Sequence, residues 1–274
     1  MTTTAHTKQV QRYHQYQEQL QFFSPFLKKK VSVASMAAEE LTLLGLWASP
    51  FVIRARIALN LKGLTYVYAE DSIYNKSELL LKSNPVLKKV PVLIHDGKPV
   101  CESQVIVQYI DEAFPAAAGA PILPSAPYDR AVARFWASYV EDKWFSTWLP
   151  VFSGRTAEER VDAATQVVAV LQTLEQAFKE CSKGKAFFGG DTVGLVDVVL
   201  GGHLGWLYAT EAICGVKVVD ATKTPLLVAW AERFCALDAV KGLIPDVDRL
   251  VEYNKTRRAA LGLPLLFPYA ELQQ

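Results

Sequence analysis

The chain has 274 residues, 51% of them hydrophobic, and a formal net charge of +1. This is material for one large or two modest domains with an ordinary core, while the near-neutral charge excludes nucleic acid, anionic membrane and other polyanions as expected partners. No apolar run approaches the ~18 residues of a membrane span. The four cysteines, Cys101, Cys181, Cys214 and Cys235, are scattered without CxxC spacing; that pattern fits reduced thiols in a cytoplasmic compartment better than a disulfide frame or a zinc site, and no metal is expected.

Residues 1–36 are Gln-rich, carry Lys28, Lys29 and Lys30 behind an aromatic patch (Phe22, Phe23, Phe26), and read as a disordered N-terminal extension. The positive cluster follows the apolar patch, the wrong order for a signal peptide, and Arg12 is the segment's single arginine, too few for a transit peptide. From Leu41 the pattern predicts a strand over 41–47, a helix over 51–62 opened by Pro50 and stopped by Gly63, and a strand over 65–70. A short helix near 77–82 follows, then a strand over 90–94, an Asp96-Gly97 hairpin turn, a strand over 99–101 and a helix whose apolar face runs from Val105 to Phe114. The order β-α-β-α-β-β-α is the thioredoxin-like arrangement, assigned here to residues 37–115.

Residues 116–127 are rich in Pro and Ala and read as a linker. Beyond them helices are predicted over 128–151, 157–180, 194–213, 225–237 and 247–258, an all-helical domain spanning 128–260. Residues 261–274 form an apolar tail with Pro264 and Pro268. The expected fold class is therefore α/β plus all-α.

Three short stretches carry chemistry. Ser49 closes an apolar run just before Pro50, so its hydroxyl and the neighbouring N–H groups face one spot at a helix N-terminus, where the dipole favours an anion. Val90-Pro91 places a proline at a strand start, a position commonly cis in this arrangement, leaving the Val90 backbone free to pair with a bound peptide. Glu102-Ser103 offers an acceptor for an ammonium beside donors for a carboxylate, with Ser103 expected as the N-cap of the third helix. Lys76 and Lys89 supply positive charge for a second carboxylate. The implied ligand is a small peptide with an α-amino-carboxylate at one end, a carboxylate at the other and an ionisable atom near Ser49.

Trp47-Ala48-Ser49-Pro50-Phe51, Lys88-Lys89-Val90-Pro91-Val92-Leu93 and Cys101-Glu102-Ser103 resemble the glutathione transferase family, specifically its plant tau class, over about residues 36–258. The resemblance implies a homodimeric enzyme that uses glutathione as co-substrate, needs no cofactor, and conjugates the thiolate to a hydrophobic electrophile, with peroxide reduction as a side activity. It implies that Ser49 donates to the thiolate, that Lys76 and Lys89 meet the glycyl carboxylate, Val90 the cysteinyl unit, and Glu102 with Ser103 the γ-glutamyl end. Trp47, Phe51, Tyr139, Trp144 and Trp206 are the candidate walls of the hydrophobic-substrate pocket. Gly194-Leu195-Val196-Asp197 resembles the family's helix-capping segment with Gly at the usual Ser or Thr, and Asp197 reads as structural.

A free thiol ionises near pH 8.5, and lowering that by about two units takes roughly 2.7 kcal/mol of preferential anion stabilisation. A charge-assisted hydrogen bond from Ser49, about 1.5–3 kcal/mol, together with a helix N-terminus is the right size. Two other functions stand beside conjugation. A carrier of hydrophobic small molecules would bind without turnover. A thiol transferase working through mixed disulfides would need a cysteine where this chain has Ser49.

Overall fold

The computed structural model describes residues 41–264 apart from 116 and 118. The expected extension over 1–36 and the tail over 265–274 lie outside the described residues. Strand β1 (Leu41–Gly45) is apolar and buried along its whole length, as a central strand covered on both faces must be. It pairs in parallel with β2 (Tyr66–Glu70) and antiparallel with β3 (Val92–His95), which pairs antiparallel with β4 (Lys98–Cys101). The sheet order is β2-β1-β3-β4. Asp96 (φ 48°) and Gly97 (φ 72°) make the expected two-residue hairpin turn between β3 and β4.

Helix α1 (Pro50–Leu61) starts on Ser49 with Pro50 in its first turn. It ends in a Schellman motif: Gly63 (φ 62°) takes the left-handed conformation, its N–H donates to the Asn60 carbonyl, and the Leu64 N–H donates to that of Leu59. Helix α2 (Glu78–Ser83) is short and packs on β3, whereas α3 (Ser103–Ala113) packs against α1. Strands and helices thus follow the expected thioredoxin-like order.

The stretch read as a linker is tied down at Ile122 and Leu123. The Asp111 carboxylate accepts from the Ile122 and Leu123 N–H groups at 2.9 Å each, and it ion-pairs with buried Lys62 at 2.7 Å. Ile122 in turn accepts from the Leu195 N–H, so this stretch ties the first domain to the second.

The helical half differs from expectation in two places. The single helix expected over 128–151 is α4 (Pro127–Tyr139), a π-helical turn over Val140–Trp144, and α5 (Phe145–Ser153). The helix expected over 194–213 breaks at Gly202-His203 into α7 (Leu195–Gly201) and α8 (Leu204–Cys214). Helices α6 (Ala157–Ser182), α9 (Pro225–Cys235) and α10 (Val247–Ala260) stand where expected. Caps hold their starts. Thr156 and Glu159 form a reciprocal capping box on α6, and buried Glu175 of α6 accepts from the Leu226 and Leu227 N–H groups at the start of α9.

Asp197 is fully buried and accepts from the backbone N–H groups of Phe188, Gly189 and Gly194 and from the Trp230 indole at 2.7–3.0 Å. Gly194 has no side chain to complete a capping box, so the carboxylate alone organises this helix start. Burial raises its carboxyl from 3.8 to about 6 against the pull of the four donors. A carboxyl raised on folding holds protons that the unfolded chain has released. The stability linked to that proton is therefore full below the unfolded value of about 3.9 and is lost as pH climbs toward the folded one, while the four accepted bonds remain. In Asp197→Asn the amide nitrogen faces two of those donors whichever way it turns. The variant should lose about 3 kcal/mol or more at neutral pH, read by chemical denaturation; a loss under about 0.5 kcal/mol would mean that the donors find other partners.

Candidate functional site

Sheet register decides what meets at the site. Gly45 pairs with Glu70, Leu44 with Val92, and Val92 with Cys101. The segments after β1, before β3 and after β4 therefore all open at one end of the sheet, and these carry Ser49, Val90-Pro91 and Glu102-Ser103 respectively. Ligands in open α/β sheets bind at this kind of edge.

Ser49 has extended backbone geometry (φ −82°, ψ 118°) and caps α1, its Oγ accepting from the Val52 N–H at 3.4 Å. That distance is beyond the usual 2.7–3.2 Å range, so the cap bond is weak. The oxygen only accepts in this contact, leaving the hydroxyl hydrogen free to donate to an anion, and the side chain is half-buried at the mouth of the helix.

The peptide bond between Val90 and Pro91 is cis, and Val90 lies just outside the ladder that starts at Val92. Its approach is fixed by buried Asn84, whose Nδ2 donates to the Lys89 carbonyl at 2.9 Å and whose Oδ1 accepts from the Leu87 N–H at 3.1 Å. Lys89 itself is exposed, and Lys76 is half-buried in the loop before α2. Asp71 organises that loop by accepting from the N–H groups of Ser72 and Ser77 and from the Ser77 hydroxyl.

Glu102 is exposed and has φ 72°, a conformation that costs a non-glycine residue about 1–3 kcal/mol and clusters at functional sites. This conformation moves the start of α3. Glu102 occupies the N-cap position and Ser103 is the first helical residue, so the expected capping role of Ser103 is not what its hydroxyl does. The Ser103 Oγ instead accepts from Arg54 Nη1 at 3.1 Å.

Arg54 joins four elements. It is fully buried on α1; Nη1 also donates to Glu141 Oε2 at 2.6 Å, and Nε donates to the Val199 carbonyl at 3.1 Å. Gln104 donates to the same Glu141 oxygen at 3.2 Å. Burial pulls the Arg54 guanidinium down from its ordinary value and the Glu141 carboxylate pulls it back. Glu141 stands in the π-helical turn that follows α4. The sequence did hold a signal for Arg54, a cation flanked by Val52, Ile53, Ala55 and Ile57 in an apolar helix that it shares with Arg56, since a charge buried there requires a partner.

Among the aromatic candidates, Trp144 and Trp206 are buried, with no exposed surface and 5% respectively. Trp144 packs edge-on against His203, and the Trp206 indole donates to the Ala48 carbonyl at 2.7 Å. The other three are half-buried and stand in separate surroundings. The Arg249 guanidinium lies 3.7 Å over the Trp47 ring, Phe51 meets Phe145 and His203, and Tyr139 meets Trp136. His203 is buried, and because its Nδ1 faces the Val199 carbonyl, that nitrogen carries the proton. A surface cavity of about 460 Å³ lies elsewhere, between α4 and residues 180–196, and Ser49 is not among its walls.

No helix among the described residues is long and apolar enough to cross a membrane, and no His, Cys or carboxylate cluster among them could hold a metal ion.

A thioredoxin-like sheet with a serine capping the first helix at its edge, followed by a bundle of helices, is the architecture of glutathione transferases. Residues 43–119 match the glutathione S-transferase N-terminal domain and residues 128–238 the C-terminal domain. The chain belongs to the glutathione transferase family. It is 58% identical over 221 residues to a probable glutathione S-transferase, GSTU6, of Oryza sativa subsp. japonica, covering 79% of this chain and 94% of the relative. It is 52% identical over 220 residues to glutathione S-transferase U18 of Arabidopsis thaliana, covering 80% and 96%. Its fold matches the tau-class enzyme of mango, Mangifera indica, with a TM-score of 0.75 at 48% identity over 79% of this chain and 98% of that one. It also matches rice GST1 solved in complex with glutathione, with a TM-score of 0.73 at 38% identity over 81% and 99%. These relatives place the chain in the tau class, as a glutathione transferase.

Proposed function

We propose that this enzyme joins the glutathione thiolate to hydrophobic electrophiles, by aromatic substitution or Michaelis addition, as in xenobiotic detoxification. Ser49 carries the proposal: a half-buried hydroxyl whose oxygen accepts only a long bond from Val52, at the N-terminus of α1. Glutathione binds with its sulfur at Ser49, its cysteinyl backbone on Val90, its γ-glutamyl end between Glu102 and Ser103, and its glycyl carboxylate toward Lys76 and Lys89. The thiol loses its proton to solvent, the hydroxyl donates to the sulfur anion, and the anion attacks the electrophilic carbon while the leaving group or the adjacent carbanion carries the electrons away. No protein base is needed, because Ser49 acts as a donor and not as a nucleophile. Peroxide reduction is a side activity of the same thiolate.

Trp47, Phe51 and Tyr139 retain exposed surface and form part of the electrophile pocket. The enzyme works as a homodimer; exposed Val105 on α3 and Phe135 on α4 support an apolar contact, on helices joined by the Gln104 to Ala137 and Arg134 to Gln108 bonds. Four free thiols support a reducing, cytoplasmic setting.

The test is ultraviolet titration of glutathione bound to the protein. The thiolate band should grow in about two pH units below the ~8.5 of free thiol; ionisation no easier than in buffer would remove Ser49 from the proposal.

A further inference from the structure

We infer that Trp206 is a positioning residue for Ser49: the corner between α7 and α8 grips the turn that carries the serine and sets the direction of its hydroxyl. This goes beyond a wall of the electrophile pocket, and it rests on the proposed role of Ser49 in holding a thiolate.

The grip has several points. The Trp206 Nε1–H donates to the Ala48 carbonyl at 2.7 Å, and both residues are buried. A peptide unit is planar, so fixing the Ala48 oxygen fixes the plane that ends at the Ser49 nitrogen, one bond from the carbon bearing the hydroxymethyl group. The other face of that plane is held by the Ser49 N–H, which donates to the Leu46 carbonyl at 2.9 Å. The donor is itself immobile, because the Trp206 ring is packed edge-on by Trp148, Phe152 and Tyr253 with centroids 4.8–6.2 Å away.

Gly202 supplies the approach. Its backbone is ordinary right-handed helix (φ −56°, ψ −23°), which any residue adopts, so conformational freedom does not explain a glycine there. Contact does: a Cβ on Gly202 would stand 2.6 Å from the Pro50 carbonyl oxygen and 2.8 Å from Arg54 Cγ. The helical domain therefore touches the first turn of α1 with bare backbone. Val199 adds its carbonyl to the Arg54 guanidinium, and His203 packs on Phe51. Three elements of one corner thus meet four consecutive or nearly consecutive positions around Ser49. A tryptophan filling core volume alone has no need to direct its N–H at the peptide preceding the serine.

The experiment compares wild type, Trp206→Phe, Gly202→Ala and Ser49→Ala by titration of bound glutathione, by the pH profile of kcat/KM and by thermal melting. Trp206→Phe keeps one aromatic ring in the site and removes the donor, and thermal melting reads the part of its effect that comes from the smaller ring. We expect its bound thiol to ionise roughly half to one pH unit higher than in wild type and kcat at pH 6.5 to fall about two- to fivefold, as the thiolate fraction does, with glutathione KM within about twofold. Gly202→Ala leaves the indole in place and presses the same turn from the other side, so its thiol should shift in the same direction; it decides the matter alone should Trp206→Phe not fold. A lower melting temperature with an unchanged thiol titration and kcat in either folded variant would overturn the inference and leave Trp206 a core residue. A wild-type thiol that ionises as in buffer would instead defeat the underlying function, an outcome told apart by the Ser49→Ala comparison.

Discussion

Replacing Ser49 by alanine is expected to lower kcat for aromatic substitution on a chloro-nitroarene by roughly 10- to 150-fold, the equivalent of a charge-assisted hydrogen bond of about 1.5–3 kcal/mol. The loss falls on kcat because the hydroxyl acts on the sulfur alone. The contacts proposed for the rest of the tripeptide come from Val90, Glu102, Ser103, Lys76 and Lys89 and are untouched, so glutathione KM should stay within about threefold. The bound thiol should ionise closer to its free value of about 8.5, and the pH profile of kcat/KM for the electrophile at saturating glutathione should move up by the same amount. Stability responds much less. A lost N-cap ordinarily costs about 0.5–2 kcal/mol, and the 3.4 Å bond to Val52 places this one at the low end. Ser49→Thr keeps a donor in the same place and should recover most of the rate. If Ser49→Ala turned over at the wild-type rate, the thiolate would have to be held by other groups at the helix mouth.

Much of the first domain was legible because its signals are local. Ser49-Pro50 and Gly63 bound α1, Asp96-Gly97 makes its hairpin, and the short apolar strands need no distant partner to be recognised. Features set by packing between elements were not. The apolar spacing over 128–151 runs through Val140–Trp144 without a break, so the π turn that holds Glu141 leaves no trace in periodicity. The position of Ser103 was missed by one residue because Glu102 adopts a positive φ, which a glutamate does not announce. The linker composition hid the two N–H groups that Asp111 captures. Periodicity also cannot separate an aromatic ring that fills the core from one that faces a ligand. Trp144 and Trp206 are buried, whereas Trp47, Phe51 and Tyr139 keep some surface. What distinguishes them is the opposing element, information that only the assembled fold carries.

Arg54→Met should be the most damaging substitution at the domain boundary, with a cost of about 2–4 kcal/mol and a melting temperature lower by roughly 5–12 °C. Methionine fills the stem's volume and removes the fork. The Ser103 hydroxyl and the Val199 carbonyl then lose their buried donor, while Glu141, with 36% of its side chain exposed, turns to water at small expense. Glu141→Gln keeps an acceptor facing Nη1 but takes the counter-charge from a fully buried guanidinium, so it should cost about 1–3 kcal/mol, less than Arg54→Met because the bonds to Ser103 and Val199 stay. The two variants should differ in function as well. Ser103 opens α3 directly after Glu102, so releasing it loosens the surface proposed for the γ-glutamyl end, and Arg54→Met should raise glutathione KM about tenfold while kcat at saturation falls less. Glu141→Gln leaves the Arg54 to Ser103 bond in place and should move KM about twofold at most. Denaturant unfolding and saturation kinetics on both variants decide the matter. Equal losses of stability would show that the ion pair and not the bonds to Ser103 and Val199 holds the corner. An unchanged KM in Arg54→Met would detach the buried arginine from glutathione recognition.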